Sequence, residues 1–207
     1  MDVPEELEIT LIHEDNGSAY KVLPVVSTYL SDSFVSRFMQ IVNEADILRL
    51  LEDAGISIQG KYTEKDARNF LSQSVDEWIH NRSRTFMITR DSAPVGCFAF
   101  KSCKDDAEIG YWIGGKHRGL GTQLLAAMLK MAPDLGYTQL QAVTREDYTA
   151  SRKILARNGF MEVDRFKKHG LKYLQHRWLR PAELPEDAES GKFQKIKKLS
   201  RHLQRIR

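Results

Sequence analysis

The residues with the clearest chemical potential sit together at His117-Arg118-Gly119-Leu120-Gly121-Thr122. They follow the apolar run Gly110-Tyr111-Trp112-Ile113 and precede a stretch where Leu120, Leu124, Leu125, Met128 and Leu129 recur at helical spacing. Two glycines let the backbone turn closely, so that several N–H groups point at one spot, and a helix starting there adds its positive end. A diphosphate is the group such a site holds best. An ordinary strand-to-helix turn satisfies the same short pattern, so the glycines alone do not decide.

Two nucleotide-binding fingerprints overlap this segment, and both fail. Gly110 to Lys116 has the spacing of a P-loop, but His117 stands where the magnesium-binding Ser or Thr is required, and the first residues read as strand interior. The dinucleotide fingerprint needs a third glycine where Leu124 stands.

The surrounding chain supplies elements able to position this loop. Near the start, an apolar patch at Ile9-Thr10-Leu11-Ile12 and a turn at Asn16-Gly17 suggest two short strands. Residues 33–53 show helical periodicity, ending at Gly55. A second helix opens at Thr63, with Asp66 three residues on, and carries Phe70, Leu71, Val75, Trp78 and Ile79. Residues 85–89 and 95–100 flank a turn at 91–94 and read as a hairpin. A strand over 107–113, a helix over 119–131, a strand over 138–144 and a helix centred on 151–157 follow. Asn158-Gly159 stops that last helix, and strands over 160–166 and 171–179 close the pattern. The implied fold is α/β (α+β): a single mixed, mostly antiparallel sheet flanked by helices.

Composition narrows the class. A chain of 207 residues with 42% hydrophobic content accommodates one core, and its mean hydropathy of −0.44 is that of a water-soluble protein. Residues 1–8 are acidic and lack the apolar stretch of a signal peptide, and no apolar run reaches the length of a membrane span. A cytoplasmic location without a membrane span is the expectation. Cys97 and Cys103 match neither a redox pair nor a zinc knuckle, and the six histidines are scattered, so no metal is expected. The net charge of +3 is unevenly spread. The seventeen residues from Gly191 hold seven Lys or Arg and no acid, which leaves the remainder at −4. Phe193, Ile196, Leu199, Leu203 and Ile206 form an apolar stripe there, that of a basic amphipathic helix.

Lys116-His117-Arg118-Gly119-Leu120-Gly121, with Thr122 and Leu124-Leu125 after it, resembles the acetyl-CoA loop of the GNAT acetyltransferase superfamily. That pattern is Gln or Arg, two variable residues, Gly, one variable residue, then Gly or Ala; Lys116 departs from the first position but keeps its charge. Glu108-Ile109-Gly110-Tyr111-Trp112-Ile113 resembles the preceding strand of the ribosomal-protein N-terminal acetyltransferases. Ser151 to Leu155, ending at Asn158-Gly159-Phe160, resembles their next helix, and Thr63 to Trp78 their substrate-side helix. The resemblance covers roughly residues 33–180. It implies an acetyl-CoA-dependent N-acetyltransferase domain over 21–180 and does not extend to the tails, which composition and spacing read as an acidic segment over 1–20, an acidic linker over 181–190 and the basic helix over 191–207.

The same resemblance assigns candidate roles. Acetyl transfer to an amine needs a positioned thioester, a deprotonated amine, a stabilised oxyanion and a protonated leaving thiolate. Backbone groups of Trp112 and Ile113 would hold the pantetheine arm and polarise the carbonyl, while Lys116, His117, Arg118, Gly119, Leu120, Gly121 and Thr122 take the phosphates. Arg118 adds charge there, or is a solvated loop arginine; His117 contributes its backbone more than its ring. Glu108 is the candidate base, against the alternative that it pairs with a basic side chain or caps the sheet edge. The tyrosine that many relatives use as the acid is absent, because Leu155 stands in its place. Ser151 is the first substitute, unless it only caps a helix, and Tyr148 the second. Tyr111 and Trp112 either line the acceptor cleft or belong to the core.

Acceptors in view are a protein N-terminus, a lysine or a small amine. A second reading keeps the fold without catalysis, as an acyl-CoA-sensing module. For the basic tail, contact with RNA, the ribosome or an anionic membrane stands against docking on its own domain or on a second copy in a homodimer.

Overall fold

The computed structural model describes residues 7–58 and 60–181. The linker from residue 182 and the basic stretch over 191–207 lie outside the described residues. The chain forms two compact units, one drawn from Met1–Cys103 and Ile109–Gly121, the other from Lys104–Glu108 and Thr122–Arg207.

In the first unit, β1 (Ile9–Ile12), β2 (Ala19–Pro24), β3 (Arg84–Arg90), β4 (Ala93–Phe100) and β5 (Ile109–Ile113) form an antiparallel sheet in that order. β3 is buried along its first six residues, as a strand covered on both faces must be, and β4 pairs with it from Arg84↔Phe100 to Arg90↔Ala93. The turn is tighter than the sequence suggests. Only Asp91 and Ser92 lie outside the strands, both at positive φ (50° and 60°), the conformation a two-residue type I′ hairpin requires. Pro94 is tolerated inside β4 because the register shifts opposite it, at Ile88/Thr89. β1 and β2 pair across the Asn16-Gly17 turn, so residues 9–12 are strand within the stretch read as an acidic segment.

The α-helices α1 (Asp32–Val42), α2 (Ala45–Asp53) and α3 (Glu64–Ile79) belong to this unit. The periodic run expected as one helix is broken at Asn43. The Asn43 side chain donates to the carbonyls of Met39 and Tyr62 and accepts the Tyr62 N–H. It thereby ends α1 and ties the segment before α3 to that end. α3 opens with the anticipated capping box: Asp66 N–H donates to the Thr63 hydroxyl, and Thr63 N–H donates to Asp66 at 2.8 Å. Such a cap contributes about 1 kcal/mol. Its last turn buries Trp78, whose indole N–H donates to the Thr85 carbonyl at 2.7 Å. Its ring meets Phe86 edge to face, and Phe86, Phe98, Phe100 and Leu71 are all fully buried.

In the second unit, α4 (Gly121–Met131) leads from its second residue onward to β6 (Gln139–Arg145), α5 (Thr149–Arg157), β7 (Met161–Lys168) and β8 (Leu171–Leu179). The three strands are antiparallel in the order β6-β8-β7. Leu124, Leu125, Met128, Leu140, Leu155 and Trp178 supply its core. β7 is an edge strand exposed along its whole length, with an irregularity between Glu162 and Asp164. Among the described residues, parallel pairing in this unit is confined to one bridge, Glu108↔Gln141, with the Gln141 N–H donating to the Ala107 carbonyl at 2.9 Å. The strands therefore fall into two hydrogen-bonded sheets rather than the single one expected, within the anticipated mixed α/β architecture.

Candidate active site

β5 delivers the chain to the glycine loop. Trp112 faces Cys97 and Ile113 faces Gly96 across the β4–β5 ladder. Gly96 is required there, because a Cβ would lie 2.6 Å from the Trp112 carbonyl oxygen. The Trp112 indole is buried and lies 5.8 Å from the Phe38 ring. Its side chain is thus core. Cys97 is also core: burial pushes its thiol up to about 12.

Beyond Gly114 the backbone makes a short 3-10 turn over Gly115–His117. Arg118 then adopts φ −59°, ψ 148° and Gly119 φ +107°. These angles match the central residues of a type II turn, an extended residue followed by a positive-φ glycine, and Gly121 opens α4 directly after it. The first four N–H groups of any α-helix lack intrahelical acceptors. This combination of bare amides and helix dipole is what an anionic diphosphate fits.

Side chains remote in sequence grip the loop. Glu44, between α1 and α2, accepts the Gly115 N–H at 2.7 Å. The Tyr20 hydroxyl lies 3.0 Å from His117 Nδ1, with the two rings edge to face. Burial, reinforced by the Arg90 cation, holds the His117 imidazolium below the ordinary histidine value. The His117 ring is thus engaged with Tyr20. Arg118 pairs with Asp46 at 2.8 Å but is 76% exposed, a surface pair worth ~0–1 kcal/mol. Lys116 is exposed and Leu120 buried. Neither Glu44, Tyr20 nor His13, whose ring bonds the Arg118 carbonyl, carried any sequence signal, because each lies at least 71 residues from its partner.

The second unit holds the three candidate catalytic side chains and Thr122. Glu108 is half-buried between the buried Ala107 and Ile109, opposite Gln141. Gln141 is held by the Gln175 amide, which donates to its side-chain oxygen at 2.7 Å. Tyr148 follows β6 and is half-buried, with the Arg145 guanidinium 4.8 Å over its ring and that guanidinium paired with Asp147. The cap position of α5 is Tyr148 itself, with no side-chain cap bond, so Ser151 is a half-buried third residue of the helix and not its cap. Gln141 and Arg145 are about 13 Å apart at the usual ~3.3 Å rise per strand residue. Glu108 thus stands at one end of β6, with Tyr148 and Ser151 beyond the other. Leu155 is 1% exposed and packs as core. Asn158 donates to the Ile154 carbonyl at 2.9 Å and reaches toward that of Thr122 at 3.4 Å, ending α5.

Known proteins of this kind provide the remaining finding. The acetyltransferase (GNAT) domain family matches residues 33–161, a span that includes the loop, Glu108, Tyr148 and Ser151. The chain is similar to the ribosomal-protein-serine acetyltransferase of Escherichia coli (strain K12), at 29% identity over 107 residues. That match covers 48% of this chain and 59% of the relative. Among solved structures, it superposes on the ribosomal-protein-S5-alanine acetyltransferase of Vibrio fischeri with a TM-score of 0.66 and 15% identity, covering 86% of this chain and 100% of that one. It also superposes on the Microcin C7 self immunity acetyltransferase MccE, described in complex with acetyl-CoA and AMP, with a TM-score of 0.62 and 16% identity, covering 77% and 92%. The fold is shared with both, and the family span covers well over half the sequence, so the chain belongs to the acetyltransferase (GNAT) domain family.

Proposed function

We propose that this protein is an acetyl-CoA-dependent N-acetyltransferase acting in the cytoplasm on a primary amine, with the N-terminus of a ribosomal protein as the first acceptor to test. The observation that carries the reading is the type II turn at Arg118-Gly119 leading into α4, inside the matched domain. The acceptor class follows from the relatives, which are named for acetylating ribosomal-protein serine and alanine residues. Among the described residues no helix is long and apolar enough to cross a membrane.

Acetyl-CoA supplies the activated acetyl group. Lys116 to Thr122 bind its phosphates through backbone N–H groups and the α4 dipole, and the backbone of Trp112 and Ile113 orients the pantetheine arm and polarises the thioester carbonyl. Glu108, or a water it holds, takes the proton from the attacking amine. Ser151, or Tyr148 three residues before it, delivers a proton to the departing thiolate. Leu155 cannot do so, since it carries no proton to give.

Residues 21–180 form the transferase domain in this reading, with an acidic segment over 1–20. The acidic linker over 181–190 joins it to the basic stretch over 191–207, which meets a partner: RNA or the ribosome, or a second copy of the chain. Purified protein is to be assayed for CoA release from acetyl-CoA with peptides bearing N-terminal Ser or Ala, lysine peptides, polyamines and aminoglycosides. Turnover with an N-terminal peptide is expected. Failure to bind acetyl-CoA, or to turn it over with any of these amines, overturns the proposal.

A further inference from the structure

His13 lies in the turn after β1 and is only 7% exposed. Both its ring nitrogens are engaged. The Asp15 N–H donates to Nδ1 at 3.2 Å, so Nδ1 carries no proton. Nε2 lies 2.9 Å from the Arg118 carbonyl oxygen. A carbonyl only accepts, so Nε2 carries the hydrogen and donates it. The ring also fills the space beside the next residue: a Cβ on Gly119 would sit 2.7 Å from Nε2 and 3.0 Å from Cε1.

The consequence lies in the peptide unit between Arg118 and Gly119. A trans peptide holds its C=O and N–H in opposite directions. Fixing the Arg118 carbonyl against His13 therefore aims the Gly119 N–H away from it. The alternative is a half-rotation of that plane, which converts a type II turn into a type I turn and reverses both groups. Glycine at position 119 permits both arrangements, so the local sequence does not choose between them. The observed φ of +107° at Gly119 belongs to the type II form, the one in which the carbonyl meets His13.

We propose that His13 is a positioning residue for the diphosphate loop, selecting the type II form of the Arg118-Gly119 turn so that the Gly119 N–H is available to the phosphates before acetyl-CoA arrives. The role rests on the reading of this loop as the acetyl-CoA site. It is independent of which residues act as acid and base. Preorganisation of this kind raises affinity by sparing the ligand the cost of ordering the loop. Its loss falls on binding and leaves the chemical step at saturation intact.

Three proteins test it: the full-length wild type, His13→Ala and His13→Gln. A glutamine amide places an N–H donor where Nε2 stands. His13→Ala is expected to raise KM for acetyl-CoA and the CoA dissociation constant about tenfold, the scale of one lost hydrogen bond in a preorganised site. kcat stays within about twofold, and His13→Gln restores most of the affinity. A readout without ligand accompanies this: amide hydrogen exchange at residues 116–121 is faster in His13→Ala, returns in His13→Gln, and is unchanged in β3. Unaltered loop exchange in His13→Ala, or Ala and Gln variants that behave alike, overturns the inference. Wild-type protein that does not bind CoA overturns the functional reading instead, and the exchange measurement still decides the role of His13.

Discussion

Glu108 faces Gln141 across a single parallel bridge, and Gln141 is itself held by the Gln175 amide at 2.7 Å. The candidate base is therefore carried on a fixed piece of backbone at one end of β6. Glu108→Gln keeps the shape and removes the proton acceptor. The expected result is a fall in kcat of at least about tenfold with little change in KM for acetyl-CoA, measured as thiol release. An unchanged kcat assigns deprotonation of the amine elsewhere.

Beyond the other end of β6 stand Ser151 and Tyr148, the two candidate proton donors. Ser151→Ala is expected to lower kcat by about tenfold. Tyr148→Phe retains the aromatic face beneath the Arg145 guanidinium, so any loss it causes reports the hydroxyl alone. If Ser151→Ala is neutral and Tyr148→Phe slows the reaction, the order of the two candidates reverses.

Gly119→Ala meets two obstacles at once. Its φ of +107° is unsuited to a residue with a Cβ, and that Cβ would press on His13. CoA affinity measured by calorimetry should fall by at least about tenfold. Combining it with His13→Ala relieves the collision but not the backbone strain, so the double variant is expected to remain weak.

The stability of the protein should depend on pH through two histidines. Burial is the largest cause holding both His117 and His176 below the ordinary value of 6.5. His176 is 4% exposed, with Nε2 2.9 Å from the Thr144 hydroxyl. As pH falls below 6.5 the unfolded chain takes up protons before the folded one, so stability is complete above that value and is lost progressively toward the folded-state values. Above about pH 5 exposed carboxylates remain ionised and do not obscure the effect. Urea midpoints should be lower at about pH 5.5 than at about pH 7.5, with a smaller difference in His176→Gln. Equal midpoints in the wild type would contradict this.

Thiol titration separates the two cysteines. Cys97 is buried, with a thiol pushed up to about 12, while Cys103 is partly exposed. The thiolate is the reactive form. A disulfide reagent at neutral pH is expected to spare Cys97 in the folded protein and to modify both cysteines in denaturant. Fast labelling of Cys97 under native conditions would place it outside the core.

How far the sequence reveals this structure depends on how local each cause is. Gly119 announces the loop, because its positive φ restricts residue type at the position itself. Thr63 and Asp66 announce the start of α3 for the same reason: both halves of the cap lie within one turn. The break between α1 and α2 was not legible, since the Asn43 side chain that makes it bonds to Tyr62, 19 residues away. His13 and Glu44 were missed on the same ground, at 105 and 71 residues from the loop they hold. Periodicity identified the strands but not their pairing, so the division into two sheets, with parallel pairing reduced to Glu108↔Gln141, could not be read from it.

The edge strand β7 has a bearing on behaviour at high concentration. Five of its eight residues, Glu162, Asp164, Arg165, Lys167 and Lys168, are charged, and its ladder is kinked between Glu162 and Asp164. A further strand docking along this rim would have to desolvate those charges and follow an irregular register. The rim therefore resists amyloid-like stacking despite the exposed Met161, Val163 and Phe166, and a pair of these molecules has little reason to join by extending that sheet.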